Sequence, residues 1–379
     1  MVNRIIQFGT SRFLQAHADL FVHEAQADGQ AIGPITVVKT TLGGLREGRI
    51  AALANNQGFP VQLRGFENGH LVDRTIQVRS VTRALDANEH WLEVKSIFAH
   101  EAEIVISNVG ETGYDLADET VESVPKSFPA KLLALLFHRF ENGAKPLMVL
   151  PCELIGNNGQ VLRQLILDMS LALQHGPAFR NWIRDAVTFY DTLVDRIVSE
   201  AIEPIGAIGE PYGLWAIKRK PGQAEPFQNR CVVYTEDLEP YLRLKLHILN
   251  LGHTFLASIW NMESRNVDEK VREILQDDGV RQRLQSLYVE EVIPGFAAYG
   301  MKIAAVDYVA KTVERFENPF LNHRLSDIFQ NHSHKIDRRI ADFMVWAKMK
   351  NSNLSFPQLE ALVFSNNAAK NTCEKIKSM

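Results

Sequence analysis

Arg4-Ile5-Ile6-Gln7-Phe8-Gly9 is a strand-like run that stops at a glycine. From Phe13 to Ala27 the apolar residues Phe13, Leu14, Ala16, Leu20, Phe21 and Ala25 then recur at helical spacing. Ile35-Thr36-Val37-Val38, Ile76-Gln77-Val78, Glu103 to Asn108 and Pro146 to Leu150 are further strand candidates, and Ala130 to Phe140 is a helix rich in Leu and Phe. Strands that are apolar on both faces must be covered on both faces. The pattern therefore predicts an α/β fold with a doubly wound, mostly parallel sheet.

Beyond about residue 197 the pattern changes. Leu238 to Ser258, Val267 to Leu275, Val280 to Leu287 and Ile336 to Met349 carry apolar residues three and four apart with charges between them, so the C-terminal half reads as mostly α-helical. A length of 379 residues supports two domains, read here as 1–197 and 198–379, with the Gly- and Pro-rich stretch 203–213 as the crossing segment. The chain is 46% apolar and 23% charged, which excludes disorder; a net charge of −4 without a basic run argues against nucleic acid and anionic membranes as partners. Three scattered cysteines, no long apolar run and no signal-like N-terminus lead to the expectation of a cytoplasmic protein, a monomer or small homo-oligomer. The twelve histidines form no H-E-x-x-H cluster, so no metal is expected.

Three groups of residues can carry chemistry. The turn Gly9-Thr10-Ser11-Arg12-Phe13 lies where a dinucleotide's pyrophosphate meets a helix N-terminus, although one glycine alone fits an ordinary strand–helix corner as well. The second strand ends in Lys39 without the acidic residue that binds a ribose 2′-OH, so Lys39 and Arg46 are either contacts to a 2′-phosphate or solvated cations. Lys245, Asn250 and His253 share one helical stretch. At about 100° per residue, Asn250 lies about 140° and His253 about 80° from Lys245. That set suits acid–base work on an alcohol, with a buried polar group under a surface lysine as the bland alternative. Asp195-Arg196 reads as an ion pair, while Arg315, Asn318, His323 and Lys335 suit either a hydroxylated ligand or loop capping.

Phe189-Tyr190-Asp191-Thr192-Leu193-Val194-Asp195-Arg196-Ile197-Val198-Ser199 resembles the F-x-x-[small]-x-V-D-R-[IV]-x-[PS] signature of the polyol-specific long-chain dehydrogenases, the mannitol dehydrogenase group. Lys245-x4-Asn250-x2-His253 matches that family's catalytic set. Gln57-Gly58-Phe59, Leu63-Arg64-Gly65, Glu111-Thr112-Gly113-Tyr114, Asn158-Gly159 and Arg315-Phe316-x-Asn318-Pro319 support the match. Two departures stand out. The family's first turn reads F-G-x-G-x-F, whereas Ser11 replaces the second glycine here. Mannitol dehydrogenases carry C-D-N where this chain has Cys152-Glu153-Leu154, a form similar to the tagaturonate and fructuronate reductase branch, although the chain is shorter than those reductases.

The resemblance implies a Rossmann-like cofactor domain and metal-independent hydride transfer with NAD, NADP remaining open, on a small sugar acid or polyol. Lys245 would be the general acid/base, with Asn250 and His253 holding the reacting oxygen. Gly9 to Phe13, Lys39, Asn108 and Glu111 would bind cofactor, and Asp195, Arg196, Arg315, Asn318, His323 and Lys335 would bind substrate. A mannitol or polyol-phosphate dehydrogenase, or a dinucleotide-binding sensor without turnover, are the alternatives.

Overall fold

The computed structural model describes residues 3–41, 47–55, 57–110, 113–116 and 124–377. The strands in chain order are β1 (Asn3–Phe8), β2 (Ile32–Lys39), β3 (Phe59–Glu67), β4 (His70–Val78), β5 (Val81–Asp86), β6 (Ile104–Ser107), β7 (Leu147–Pro151), β8 (Val187–Phe189), β9 (Thr192–Asp195), β10 (Val198–Ala201), β11 (Ala207–Gly209), β12 (Leu214–Lys218) and β13 (Val232–Thr235). Six of them form one sheet in the order β5-β2-β1-β6-β7-β8, and every pair in it is parallel. Its burial explains its sequence. Ile5, Ile104 and Ile106 point into one apolar cluster while Ile6, Phe8 and Val105 point into another on the opposite face, so both faces are covered and the fold is the expected doubly wound α/β sheet.

The chain divides into two compact units, residues 1–64 with 73–238 and residues 65–72 with 239–379. The expected boundary at 197 thus falls inside the first unit. Trp215 and Ile217 of β12 and Val232 and Tyr234 of β13 are buried in the same apolar cluster as Leu14 and Phe21 of the first helix, which carries this unit on to Leu238. The segment 203–213 is likewise no crossing: it contains β11, which pairs parallel with β3 in a second sheet ordered β10-β11-β3-β4. Ile76 to Val78 end β4 in that second sheet, and β5 takes the edge of the large one.

The second unit is helical. Glu239–Leu244, Lys245–Asn250 and Leu251–Met262 run on as one helix. Lys302–Phe316, the stretch 332–350 and Pro357–Lys377 follow it, around a core that includes Leu256, Leu287, Phe296 and Phe343. Among the described residues no helix is long and apolar enough to cross a membrane.

Asp19 is 1% exposed on the first helix, and burial raises its pKa to about 8 against a lowering contribution from its bond with Gln7. The unfolded carboxyl ionises near pH 4. Between about pH 4 and pH 8 the folded chain therefore holds a proton that the unfolded chain has lost, and stability falls as pH rises through that window. Asp19→Asn keeps the neutral form at every pH. Its unfolding midpoint relative to wild type should climb from pH 5 to pH 8, reaching of the order of a few kcal/mol, and a pH-independent difference would show that the acid is ionised in the fold.

Candidate active site

In the first unit the sheet order reverses between β1 and β6, and the crevice at the carboxyl ends of those strands is where open α/β sheets bind ligands. Gly9 and Asn108 meet there. Gly9 has φ +118, and a Cβ on it would lie 2.6 Å from the Asn108 carbonyl oxygen, so the turn needs glycine for its backbone and for its space. Ser11 caps the helix: its Oγ accepts from Leu14 N at 3.2 Å and reaches Asn108 Oδ1 at 3.5 Å. The first-turn N–H groups of Arg12 and Phe13 have no intrahelical acceptor. Ser11 thus anchors the turn where the usual second glycine is missing.

Behind the crevice a carboxylate is fixed in place. Glu153 is 3% exposed and accepts from Ser107 Oγ, Val109 N and Tyr114 Oη, each at 3.1 Å, and burial raises its pKa. Asn108 Nδ2 donates to Cys152 O at 2.8 Å. Beside the crevice, Lys39 Nζ at the end of β2 bonds Asp86 Oδ2 at the end of β5, 2.7 Å away. Burial would raise the Asp86 pKa, but the bonds from Lys39 and Asn88 outweigh it and hold the pKa low. Glu111 and Arg46 lie outside the described residues.

The other group lies in the second unit. Lys245 to Asn250 form a turn of i→i+5 hydrogen bonding, one residue wider than an α-turn. At α-helical angles Asn250 would lie well round the helix from Lys245. In the wider turn, the fifth residue on sits about one turn above the first, which brings Asn250 toward the Lys245 face. Other groups bond the carbonyls of this turn from outside. Tyr288 Oη donates to Ile248 O at 3.0 Å, and Thr254 Oγ1 (2.9 Å) and Arg339 Nη1 (3.3 Å) donate to Asn250 O. Gly252 leaves room for Tyr288, whose hydroxyl would collide with a Cβ there.

His253 is 5% exposed, lies tilted against Phe316 at 4.4 Å and meets His323 at 4.9 Å between ring centroids. Its Nε2 has no hydrogen-bond partner, nor does His323 Nδ1. Burial, then His323, Arg315, Arg339 and Lys335, drive the His253 pKa well below its ordinary value, so the ring is neutral. Arg315 and Asn318 are also buried in this unit, and the Asn318 amide fills the space that a side chain on Gly65 would need. Lys335 Nζ donates to Ile328 O at 2.6 Å.

Asp195 and Arg196 belong to the first unit. Arg196 donates to the carbonyls of Tyr212 (2.8 Å), Pro211 (3.2 Å) and Ala16, and its guanidinium lies 5.0 Å from the Phe21 ring centre. Those bonds hold strands and first helix together in place of the expected substrate contact. Asp195 is buried at the end of β9. Sequence reasoning missed Thr254, Tyr288, Arg339 and Asp86. The four-residue spacings of Asn250 to Thr254 and Lys335 to Arg339 were the available signals.

Residues 3–229 match the mannitol dehydrogenase Rossmann domain and residues 237–367 the mannitol dehydrogenase C-terminal domain. The chain belongs to the mannitol dehydrogenase family. It is an oxidoreductase acting on CH–OH groups, of the polyol and sugar-acid dehydrogenase kind. Similar relatives are altronate oxidoreductases: that of Halalkalibacterium halodurans is 30% identical over 89% of this chain and 69% of its own, and that of Bacillus subtilis 28% identical over 89% and 73%. Among solved structures, a substrate-free D-sorbitol dehydrogenase superposes with a TM-score of 0.76 at 20% identity, covering 91% of this chain and 76% of that one. The Pseudomonas fluorescens mannitol 2-dehydrogenase ternary complex with NAD and D-mannitol gives 0.70 at 20% identity, over 96% and 84%. These last two share the fold of this dehydrogenase.

The outside bonds to the wide turn can be tested singly. Tyr288→Phe removes one of two bonds to the buried Ile248 carbonyl, which also accepts from Leu251 N, and should cost about 0.5–1.5 kcal/mol in denaturant unfolding. Gly252→Ala, which drives a methyl into the Tyr288 hydroxyl, should cost more, and a neutral result for both would mean that the turn holds without them.

Proposed function

We propose that this enzyme interconverts an aldonate alcohol and the corresponding keto-uronate, altronate and tagaturonate being the pair its relatives suggest, with NAD as cofactor and Lys245 as proton carrier. The observation that carries the reading is the neutral, unpartnered His253 imidazole among the positive charges of Arg315, Lys335 and Arg339. An uncharged polyol has no use for that concentration of positive charge, whereas a sugar acid's carboxylate is drawn to it.

The first-unit crevice fits a dinucleotide. Gly9 admits close approach of a pyrophosphate to the main chain, and the N–H groups of Ser11, Arg12 and Phe13 with the helix dipole would bind it. Nicotinamide supplies the hydride acceptor and donor when bound. Lys245 Nζ takes the hydroxyl proton in oxidation and returns it to the ketone oxygen in reduction. Asn250 Nδ2 donates to that oxygen, and His253 Nε2 completes its hydrogen bonding. Asp86, beside the end of β2, would accept a hydrogen bond from a ribose hydroxyl and would repel a 2′-phosphate, which favours NAD.

NADH oxidation with tagaturonate, fructuronate and fructose, and NAD reduction with altronate and mannitol, test the substrate class. Activity confined to the neutral sugars, or none with either cofactor, would sink the reading. Lys245→Ala should cut turnover on an accepted substrate about 10²–10⁴-fold, and undiminished turnover would remove lysine as the base. Asp86→Ala unpairs Lys39 and removes the negative charge, and should raise the NADPH-to-NADH ratio of kcat/KM by about tenfold or more. An unchanged ratio would place the choice of cofactor elsewhere.

A further inference from the structure

Arg339 is half-buried on the helical stretch 332–350, and its Nη1 is fixed by Asn250 O (3.3 Å) and Thr254 Oγ1 (3.1 Å). Among the described residues no carboxylate is bonded to it, and its Nε and Nη2 donors have no protein partner. Burial and then Arg338 lower its pKa to about 10. Lys335, four residues earlier, also has its pKa lowered by burial and then by Arg339. The two cations add to the positive charge that burdens His253 and His332. Both cations are partly withdrawn from water and each is burdened by a neighbouring cation, Arg338 for Arg339 and Arg339 for Lys335, an arrangement that an anion would relieve.

We propose that Arg339 is the seat of the substrate carboxylate, a role resting on the sugar-acid reading above. With Nη1 held by the helix that carries Asn250, the guanidinium is anchored at one end and its Nε–Nη2 edge remains as a two-pronged donor. A carboxylate takes such an edge through both oxygens. Lys335 supplies the second positive charge. Arg315 is less suited to the task, since at 5% exposure it is buried more deeply than Arg339 and is already engaged within the unit. Arg339 bonds both the Asn250 carbonyl and the substrate end, so it sets the distance from carboxylate to reacting oxygen and thereby selects the carbon that is oxidised.

The test uses full-length enzyme with NADH bound and two probes of the same carbon skeleton, D-altronate and its uncharged counterpart D-altritol, titrated by calorimetry. Wild type should bind altronate more tightly than altritol. Arg339→Met should weaken altronate at least tenfold and altritol less than threefold, and Arg339→Lys, which keeps the charge without the fork, should fall between. Should Arg339→Met not fold, as judged by circular dichroism, the Lys variant carries the comparison: a selective loss of altronate supports the seat, and an equal loss of both probes overturns it. Equal binding of the two probes by wild type also overturns it. Selective altronate binding without oxidation leaves the seat standing and removes the proposed reaction, so the two failures are distinct.

Discussion

Main-chain polar groups that helices and strands leave unpaired must be bonded from somewhere, and much of this chain's unusual chemistry does that work. Arg196 donates to three carbonyls, and Arg139 to those of Phe98, Lys145 and Pro146. Asn158 joins the end of β7 to the start of β9 by donating to Pro151 O and Thr192 O and accepting from Thr192 N. Asp191 Oδ1 accepts from Gln160 N, and Gly159 packs against the Tyr190 carbonyl, where any side chain would collide. The stretch 189–197, the most specific element of the family resemblance, is accordingly a fastening of the first unit, with Arg196 placed by carbonyls and Asp191 by a backbone N–H.

The same accounting explains the site in the second unit. The carbonyls of the wide turn take additional donors: Tyr288 meets Ile248 O, which also accepts from Leu251 N, and Thr254 and Arg339 meet Asn250 O. In return the wide turn changes which side chains share a face. Five residues separate Lys245 from Asn250, a spacing that a regular α-helix spreads round its axis and an i→i+5 turn stacks.

Periodicity made the large sheet legible because strands covered on both faces have to be apolar throughout: β1, β6 and β7 were found within a residue of their ends, and β2 begins three residues before its expected start. β5 escaped because Val81-Thr82-Arg83-Ala84 has polar residues at an exposed edge, and β9 to β13 because strands of three to five residues are too short to show a period. Lys245, Asn250 and His253 stood out by spacing and resemblance, and the structure sets all three on one continuous helix. Arg339 was not, since an arginine on a helix with charged neighbours looks like solvated surface until Asn250, about ninety residues earlier in the chain, is brought to it. Arg196 misled for the converse reason: a buried guanidinium and a ligand-binding one look alike in sequence, and only the positions of the carbonyls tell them apart.

The neutral state of His253 has a consequence for a reaction that runs both ways. A hydrogen-bond partner of the reacting oxygen must suit an alcohol, which donates, and a ketone, which only accepts. An imidazolium can only donate, so it would favour the ketone or alkoxide and hinder alcohol binding. A neutral ring can present either a lone pair or an N–H at Nε2 by exchanging tautomers, and burial first, then the cations round His253, lower its pKa and so favour the neutral ring. A carboxylate settling on the same cations offsets part of their effect. On the proposed carboxylate seat, a sugar acid would shift the His253 pKa back toward its ordinary value, so that binding and proton uptake by the ring would favour each other, whereas an uncharged polyol would show no such coupling.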